Sequence, residues 1–316
     1  MAKARTRCRI APLTACYLCL ITIFAAGVPA PPPSFASDVT ANLTAISGFR
    51  YAHPRDLILS FDKSLLFVPD FGNDRIKILD PHTLKSLDIF GQNELVNPHD
   101  VTLDDRGRVL VADSGNNRIV LYRIYGTKAK RIGIIKDGIS APRGVAAGAD
   151  GAVYVTSADT HSVIKIVGGK VARRVGGRGK GPNQYFHPHD ITLDLEGRVY
   201  VADQSNDRIQ VLDANLNFIR ALEGPAYGFK EPSALKIDMN GWLYVADRGH
   251  SQIKIFDENH KPRGTIGSGV AGRQPGQLRN PEGVEVWGNR VWVTDTYNSR
   301  ILLFTLRGSG RQALGH

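Results

Sequence analysis

Two histidines and a glutamate, His99, His189 and Glu282, each stand directly after a proline in this 316-residue chain: Pro98, Pro188 and Pro281. Two imidazoles and a carboxylate suit Zn²⁺ or a similar divalent ion, and three protein ligands leave a fourth position open for water or substrate. The same post-proline column holds Arg55 after Pro54, Arg143 after Pro142 and Ser233 after Pro232. Arg55 and Arg143 would attract anions. They would also repel a metal ion unless an anionic ligand bridged the charges. The plainer expectation for the column is a ring of hydrogen-bonded side chains without metal.

The elements that carry these residues follow from the spacing of the prolines, which is 44, 44, 46, 44 and 49 residues. A period in this range marks a repeat architecture. Each copy reads as proline, short apolar run, Gly or Asp turn, second apolar run ending in Asp, polar loop and third apolar run. The runs are short, rich in Val, Ile, Leu and Tyr, and bounded by turn residues, so they read as strands. The fifth copy predicts four: 234–238, 242–247, 252–257 and 263–266. Asn240-Gly241 supplies the hairpin turn between the first two, because Gly tolerates the positive φ needed there. No ten-residue stretch carries a convincing helical period. The expected fold is all-β: a six-bladed β-propeller with four antiparallel strands per blade. The post-proline column then enters the innermost strands at one rim of the central channel, with His99, His189 and Glu282 about 120° apart on blades 2, 4 and 6. To close the ring, 43–48 precedes the first copy and looks like an outer strand for blade 6; Gln312-Ala313-Leu314 competes for that place.

The pattern P-x-[DG]-(I/V) … (V/Y)-V-A-D-x-x-N-x-R-I resembles the NHL repeat from about Leu43 to the C-terminus. NHL propellers serve as sensors, scaffolds and RNA binders, and one branch is a lyase. Pro98-His99-Asp100 and Pro188-His189-Asp190 are similar to two of the three Pro-His motifs with which the peptidyl-α-hydroxyglycine α-amidating lyases hold catalytic zinc. The resemblance implies zinc at His99 and His189, and it sets Arg208 beside an active-site arginine as a candidate catalytic residue. Glu282 stands where that branch has its third histidine, and Asp159 where its catalytic tyrosine belongs. Tyr297 occupies a similar loop position in blade 6.

Other residues read as scaffold. Asp70, Asp113, Asp203, Asp247 and Asp295 end second strands, with Arg75, Arg118, Arg208 and Arg300 five residues after their partners. A residue that recurs in nearly every repeat does the same local job in each, so these are expected to be loop-bracing pairs. The third copy has Ser157 and Ser162 instead, and the fifth has Gln252. The glycine loops 267–272 and 176–181 mimic phosphate cradles but lack the helix that such a cradle opens. Tyr185, Phe186, Tyr227, Phe229 and Tyr297 could offer aromatic contact at the mouth, or simply pack the loops.

A basic start (Lys3, Arg5, Arg7, Arg9), an apolar stretch to about Ala30 and the small-residue exit Ser34-Phe35-Ala36 predict a signal peptide over 1–36 and a single propeller over 37–316. The expected location is periplasmic or extracellular, with N-terminal membrane anchoring as the alternative. Cys8, Cys16 and Cys19 all lie in that leader, so the propeller is expected to need no disulfides. Removing the leader's four basic residues from the chain's 40 leaves 36 against 30 acidic ones, a net charge of +6. That is mild, and blocks such as Lys128-Ala129-Lys130-Arg131 and Arg173-Arg174 are expected to be solvated loops, with no nucleic-acid partner and no membrane span in the mature chain. The functional expectation is a monomeric binding or sensing module, with Arg55, Arg143 and Tyr297 contacting a peptide, an envelope component or another protein. The alternative is a zinc-dependent lyase with His99, His189 and Glu282 as ligands.

Overall fold

The computed structural model describes residues 39–48 and 50–308. β1 (Val39–Ile46) comes first. Blade 1 follows as β2 (Ile58–Leu59), β3 (Leu66–Asp70), β4 (Arg75–Leu79) and β5 (Ser86–Phe90). Blade 2 is β6 (Pro98–Leu103), β7 (Val109–Asp113), β8 (Arg118–Tyr125) and β9 (Lys128–Ile135); blade 3 is β10 (Pro142–Ala147), β11 (Val153–Ser157), β12 (Ser162–Val167) and β13 (Lys170–Gly176). Blade 4 comprises β14 (Pro188–Leu193), β15 (Val199–Asp203), β16 (Arg208–Leu212) and β17 (Phe218–Leu222). Blade 5 comprises β18 (Pro232–Ile237), β19 (Leu243–Asp247), β20 (Gln252–Phe256) and β21 (Pro262–Ile266). Blade 6 takes β22 (Gly283–Trp287), β23 (Arg290–Asp295) and β24 (Arg300–Gly308) from the end of the chain and β1 from its start.

Each blade is an antiparallel four-stranded sheet in sequence order, except for this last exchange. β1 pairs with β24 from Val39↔Gly308 to Ile46↔Leu302, which settles the closing strand in favour of the N-terminal candidate. Gln312-Ala313-Leu314, the leader and all three cysteines lie outside the described residues.

Both faces of a blade are covered by its neighbours, which is why the middle strands are apolar throughout rather than alternating. Phe67, Ile76 and Ile78 of blade 1, for example, pack with Val101, Val109, Val111, Val120 and Tyr122 of blade 2. Six such clusters, each shared by two adjacent blades, make up the core. Among the described residues no helix is long and apolar enough to cross a membrane.

One expectation is corrected. Lys128–Arg131 and Arg173-Arg174 are not loops: they lie in β9 and β13, the outer strands of blades 2 and 3. Both segments alternate or cluster cationic residues with Ala, Ile and Val, and an outer strand with one free edge tolerates that composition.

Candidate functional site

The recurrent aspartates position the post-proline column. Asp113, fully buried at the end of β7, accepts the backbone N–H of Val96 on Oδ1 (2.7 Å) and Arg118 Nε (2.6 Å) and Asn116 Nδ2 (2.9 Å) on Oδ2. Asp203 does the same with Phe186 N, Arg208 Nε and Asn206 Nδ2, and Asp295 with Arg279 N, Arg300 Nε and Asn298 Nδ2. Each carboxylate thus holds the backbone two residues before the opening proline of its own blade. In blade 5, where Gln252 replaces arginine, His250 Nδ1 and Lys254 Nζ sit 2.8 Å from Asp247 Oδ2.

A second set of contacts was not legible beforehand. The residue before each opening proline has a positive φ: His53, Asn97, Ala141, His187, Glu231 and Asn280 all lie between 40° and 54°. In blades 2, 3 and 5 its N–H is held by the preceding blade: Asn97 N donates to Asp74 Oδ1, Ala141 N to Asn117 Oδ1 and Glu231 N to Asp207 Oδ1, at 2.7 to 2.8 Å. At blade 4, His187 N donates to His161 Nδ1 instead (3.2 Å). The acceptors are themselves left-handed residues closing a short 3₁₀ turn in blades 1, 2 and 4, a conformation that Asn and Asp tolerate.

So placed, the column converges. The ligand atoms of His99, His189 and Glu282 all lie within 4.8 Å of one another, and the three residues are buried. The His99 and His189 rings meet edge to face with centroids 4.7 Å apart. His189 Nδ1 donates to the Ser233 carbonyl (2.7 Å), which leaves the Nε2 lone pair facing Glu282 Oε2 at 3.9 Å. His99 hydrogen-bonds the Arg143 backbone, and its Nε2 accepts from Arg143 Nη1 at 3.1 Å. Burial, then the charges of Arg143 and Arg55, hold both imidazoles well below the usual histidine range; for His99 the neighbouring His189 adds to this. Both rings are therefore neutral at physiological pH.

Glu282 sits among three guanidiniums, those of Arg55, Arg143 and Arg248. Arg55 Nη1 bonds Glu282 Oε2, and Arg248 Nε lies 3.2 Å from Oε1. Arg55 also lies over the Phe71 ring (4.3 Å), and Arg248 reaches Glu231 at 3.0 Å. Arg143 has no carboxylate bonded to it among the described contacts, and burial followed by the charge of Arg55 lowers its pKa. The Nε atom of Arg55 is buried without a hydrogen bond, whereas that of Arg248 is buried against Glu282 Oε1.

As a metal centre the site has the right donors in reach of one another, but two of the three are engaged: a guanidinium caps His99 Nε2 and another caps Glu282 Oε2. A cation could enter only if both arginines swung away. The residues as arranged do not fit a bound zinc ion.

One tier further into the channel stand Asp56, Asp100 and Asp190, again within 4.8 Å of one another. They brace the ring. Asp100 Oδ2 accepts from Val145 N of the next blade and Asp190 Oδ2 from Leu235 N of the next, at 2.5 and 2.6 Å. Burial, then the charge of Asp100, holds Asp56 and Asp190 well above the ordinary carboxylate range. The triad lines a channel cavity of only ≈ 40 Å³, so it floors the site above it.

Three expected contacts fall elsewhere. Arg208 is not at the mouth: it is buried, bonded to Asp203 and to the carbonyls of Lys180, Gly181 and Gln184, so it braces the 176–181 glycine loop. Tyr185 and Phe229 are core residues. Tyr297 is 42% exposed and packs on His53 at the rim between blades 6 and 1, leaving it free to meet a ligand.

Residues 95–122 and 278–304 match the family model for the NHL repeat, and residues 163–263 match that for a 6-bladed beta-propeller. A 38-residue stretch is 55% identical to NHL repeat-containing protein 3 of Homo sapiens, covering 12% of this chain and 11% of that protein, so the chain aligns with about a tenth of its curated relative. Among solved structures, a catalytically inactive virginiamycin B lyase from Staphylococcus aureus with quinupristin superposes with a TM-score of 0.60 at 15% identity, covering 84% of this chain and 99% of that one. An auxiliary nutrient binding protein from Bacteroides ovatus gives 0.64 at 12% identity, covering 85% and 77%. At these identities the likeness is one of fold.

Proposed function

We propose that this NHL-repeat six-bladed propeller is a binding module that takes an anionic group, a carboxylate, at the Arg–His mouth of its channel. The observation that carries the reading is the surplus of cationic donors. Arg55, Arg143 and Arg248 gather around Glu282, both histidines are neutral, Arg143 bonds no carboxylate among the described contacts, and the Arg55 Nε–H is buried without an acceptor. Buried unsatisfied donors cost about 1–3 kcal/mol each, more for charged groups. A carboxylate lying across Arg143, Arg55 and Arg248 would satisfy them with charge-assisted bonds. Phe71 beneath Arg55 and Tyr297 at the rim add apolar contact for the body of such a ligand, as a peptide C-terminus or an envelope fragment would need.

The test is calorimetric titration with N-acetylglycine and with its neutral amide. The reading expects the acid to bind, the amide not to bind, and Arg143→Gln to abolish the difference. Equal binding of the two, or of neither, would refute it.

A second reading rests on a specific observation: one ligand atom each of His99, His189 and Glu282 lie within 4.8 Å of one another. A zinc-dependent lyase would need Arg143 and Arg55 turned away from those atoms before an ion could enter. Metal content of the purified protein beside a His99→Ala/His189→Ala variant separates the readings: one zinc lost in the variant supports the lyase, and no zinc after reconstitution removes it.

A further inference from the structure

The strand connections of blades 2 and 3 differ from those of their neighbours. In blades 1, 4 and 5 the third and fourth strands pair from Leu79↔Ser86, Leu212↔Phe218 and Phe256↔Pro262, across five- or six-residue loops. In blade 2 the pairing runs out to Tyr125↔Lys128, and in blade 3 to Val167↔Lys170, so each closes on a two-residue turn. Antiparallel connectivity puts these turns at the end of the propeller opposite the Arg–His mouth.

Both hairpins have an unusual surface. Around the turns, segments 123–131 and 165–173 hold four and three basic residues and no acidic one. Arg123, Lys130 and Lys170 are exposed and make no ion pair among the described residues. The tips carry apolar side chains in the open: Tyr125 is 57% and Val167 50% exposed. At the same end Phe61 of blade 1 is 59% exposed, and it borders a cleft of ≈ 420 Å³ whose other walls include Leu103, Ile124 and the Gly126-Thr127 turn.

We propose that this end of blades 2 and 3 docks on an anionic phospholipid bilayer. Unpaired cations attract the lipid phosphates and anionic headgroups, while Tyr125, Val167 and Phe61 enter the interface and the cleft accommodates an acyl chain. The complementarity is double: a nucleic acid or an acidic peptide would meet the cations but leave the apolar tips in water. Docking there leaves the Arg–His mouth pointing away from the bilayer, so the two sites work independently.

The experiment uses the chain from Ser37, because all six blades, including the closing strand β1, lie within residues 39–308. Flotation is measured with phosphatidylglycerol/phosphatidylcholine vesicles and with phosphatidylcholine alone, for the native chain, for Arg123→Glu/Lys130→Glu/Lys170→Glu and for Tyr125→Ser/Val167→Ser, all with melting curves recorded. The proposal expects binding to the anionic vesicles only, at least about tenfold weaker in the charge variant, and reduced at fixed charge in the tip variant. It is overturned by an absence of binding to anionic vesicles, by equal binding in the folded charge variant, or by a tip variant that binds vesicles unchanged. Displacement by polyglutamate or duplex DNA with no dependence on the tips would likewise overturn it, in favour of a polyanion site.

Discussion

Glu282 is the residue on which the mouth turns. Its carboxylate is what lets Arg55 and Arg248 stay half-buried at the channel mouth. Glu282→Gln should therefore cost about 3–5 kcal/mol, the usual penalty for removing one partner of a buried ion pair. Added acetate should restore more of the melting temperature in this variant than in the native chain, because the anion then takes the missing role. Differential scanning calorimetry with and without acetate checks both points, and no anion-dependent recovery would count against the surplus of cationic donors. The neutral histidines give a pH signature. Their folded pKa values lie below the unfolded value of about 6.5, so the unfolded chain takes up protons first as pH falls, and stability contributed by His99 and His189 is lost below about pH 6.5. The raised values of Asp56 and Asp190 work the other way, since the folded chain there holds protons that the unfolded chain has released. The histidine part is isolated by comparison with His99→Gln/His189→Gln. Its stability should approach that of the native chain between about pH 7.5 and 5.5, as measured by urea unfolding; a constant difference would mean that the rings titrate in the folded state as they do in the unfolded one.

At the scale of the elements, two contacts hold the column residues in place: the aspartate ending the second strand (Ser157 in blade 3), and the approach of neighbouring innermost strands. Asp113→Ala would free Val96 N, Arg118 and Asn116 together, with an expected loss of about 3–5 kcal/mol and a displaced His99. Gly283 shows the second contact. A Cβ there would lie 2.6 Å from the Arg55 carbonyl oxygen and 2.7 Å from Asp56 Cα, both backbone atoms. Gly283→Ala should thus push blades 6 and 1 apart, cost about 1–3 kcal/mol and weaken binding of N-acetylglycine while Arg55 itself is intact; equal affinity with lowered stability would show that the mouth tolerates the shift. Much of this level was legible in the chain. The Asp–Arg spacing announced the loop braces, and Pro98 and Pro188 announced the innermost strands. The left-handed residues before each proline were not legible, because Asn97, Ala141, His187 and Glu231 share a backbone conformation and no side-chain type. The guanidinium of Arg248 was also missed: it sits one residue past the Asp of blade 5, in the turn where the other blades carry Phe71, Ser114, Gln204 or Thr296, and only the closed ring brings it to Glu282.

For the whole molecule, closure is the governing fact. β1 adds the outermost strand to blade 6 by seven register pairs, and its Ala41, Leu43 and Ala45 pack against the clusters joining blade 6 to its neighbours. Deleting residues 39–46 would leave the long edge of β24 without a partner. A broadened, less cooperative thermal transition and concentration-dependent association by light scattering are expected; a sharp transition in a monomer would show that the ring closes without β1. Closure also explains why a site drawn from all six blades is compact although its residues span Arg55 to Glu282: a propeller brings the start of every innermost strand to the same rim. The charge surplus at that rim is the central claim, and the Nε–H groups of Arg55 and Arg248 report on it directly. In ¹H–¹⁵N spectra of arginine side chains, N-acetylglycine should shift both resonances and slow their exchange with water, with Arg143→Gln removing the response. If both resonances stay unmoved while the protein acquires one zinc per chain through His99 and His189, the mouth is a metal centre and the anion-binding account is wrong.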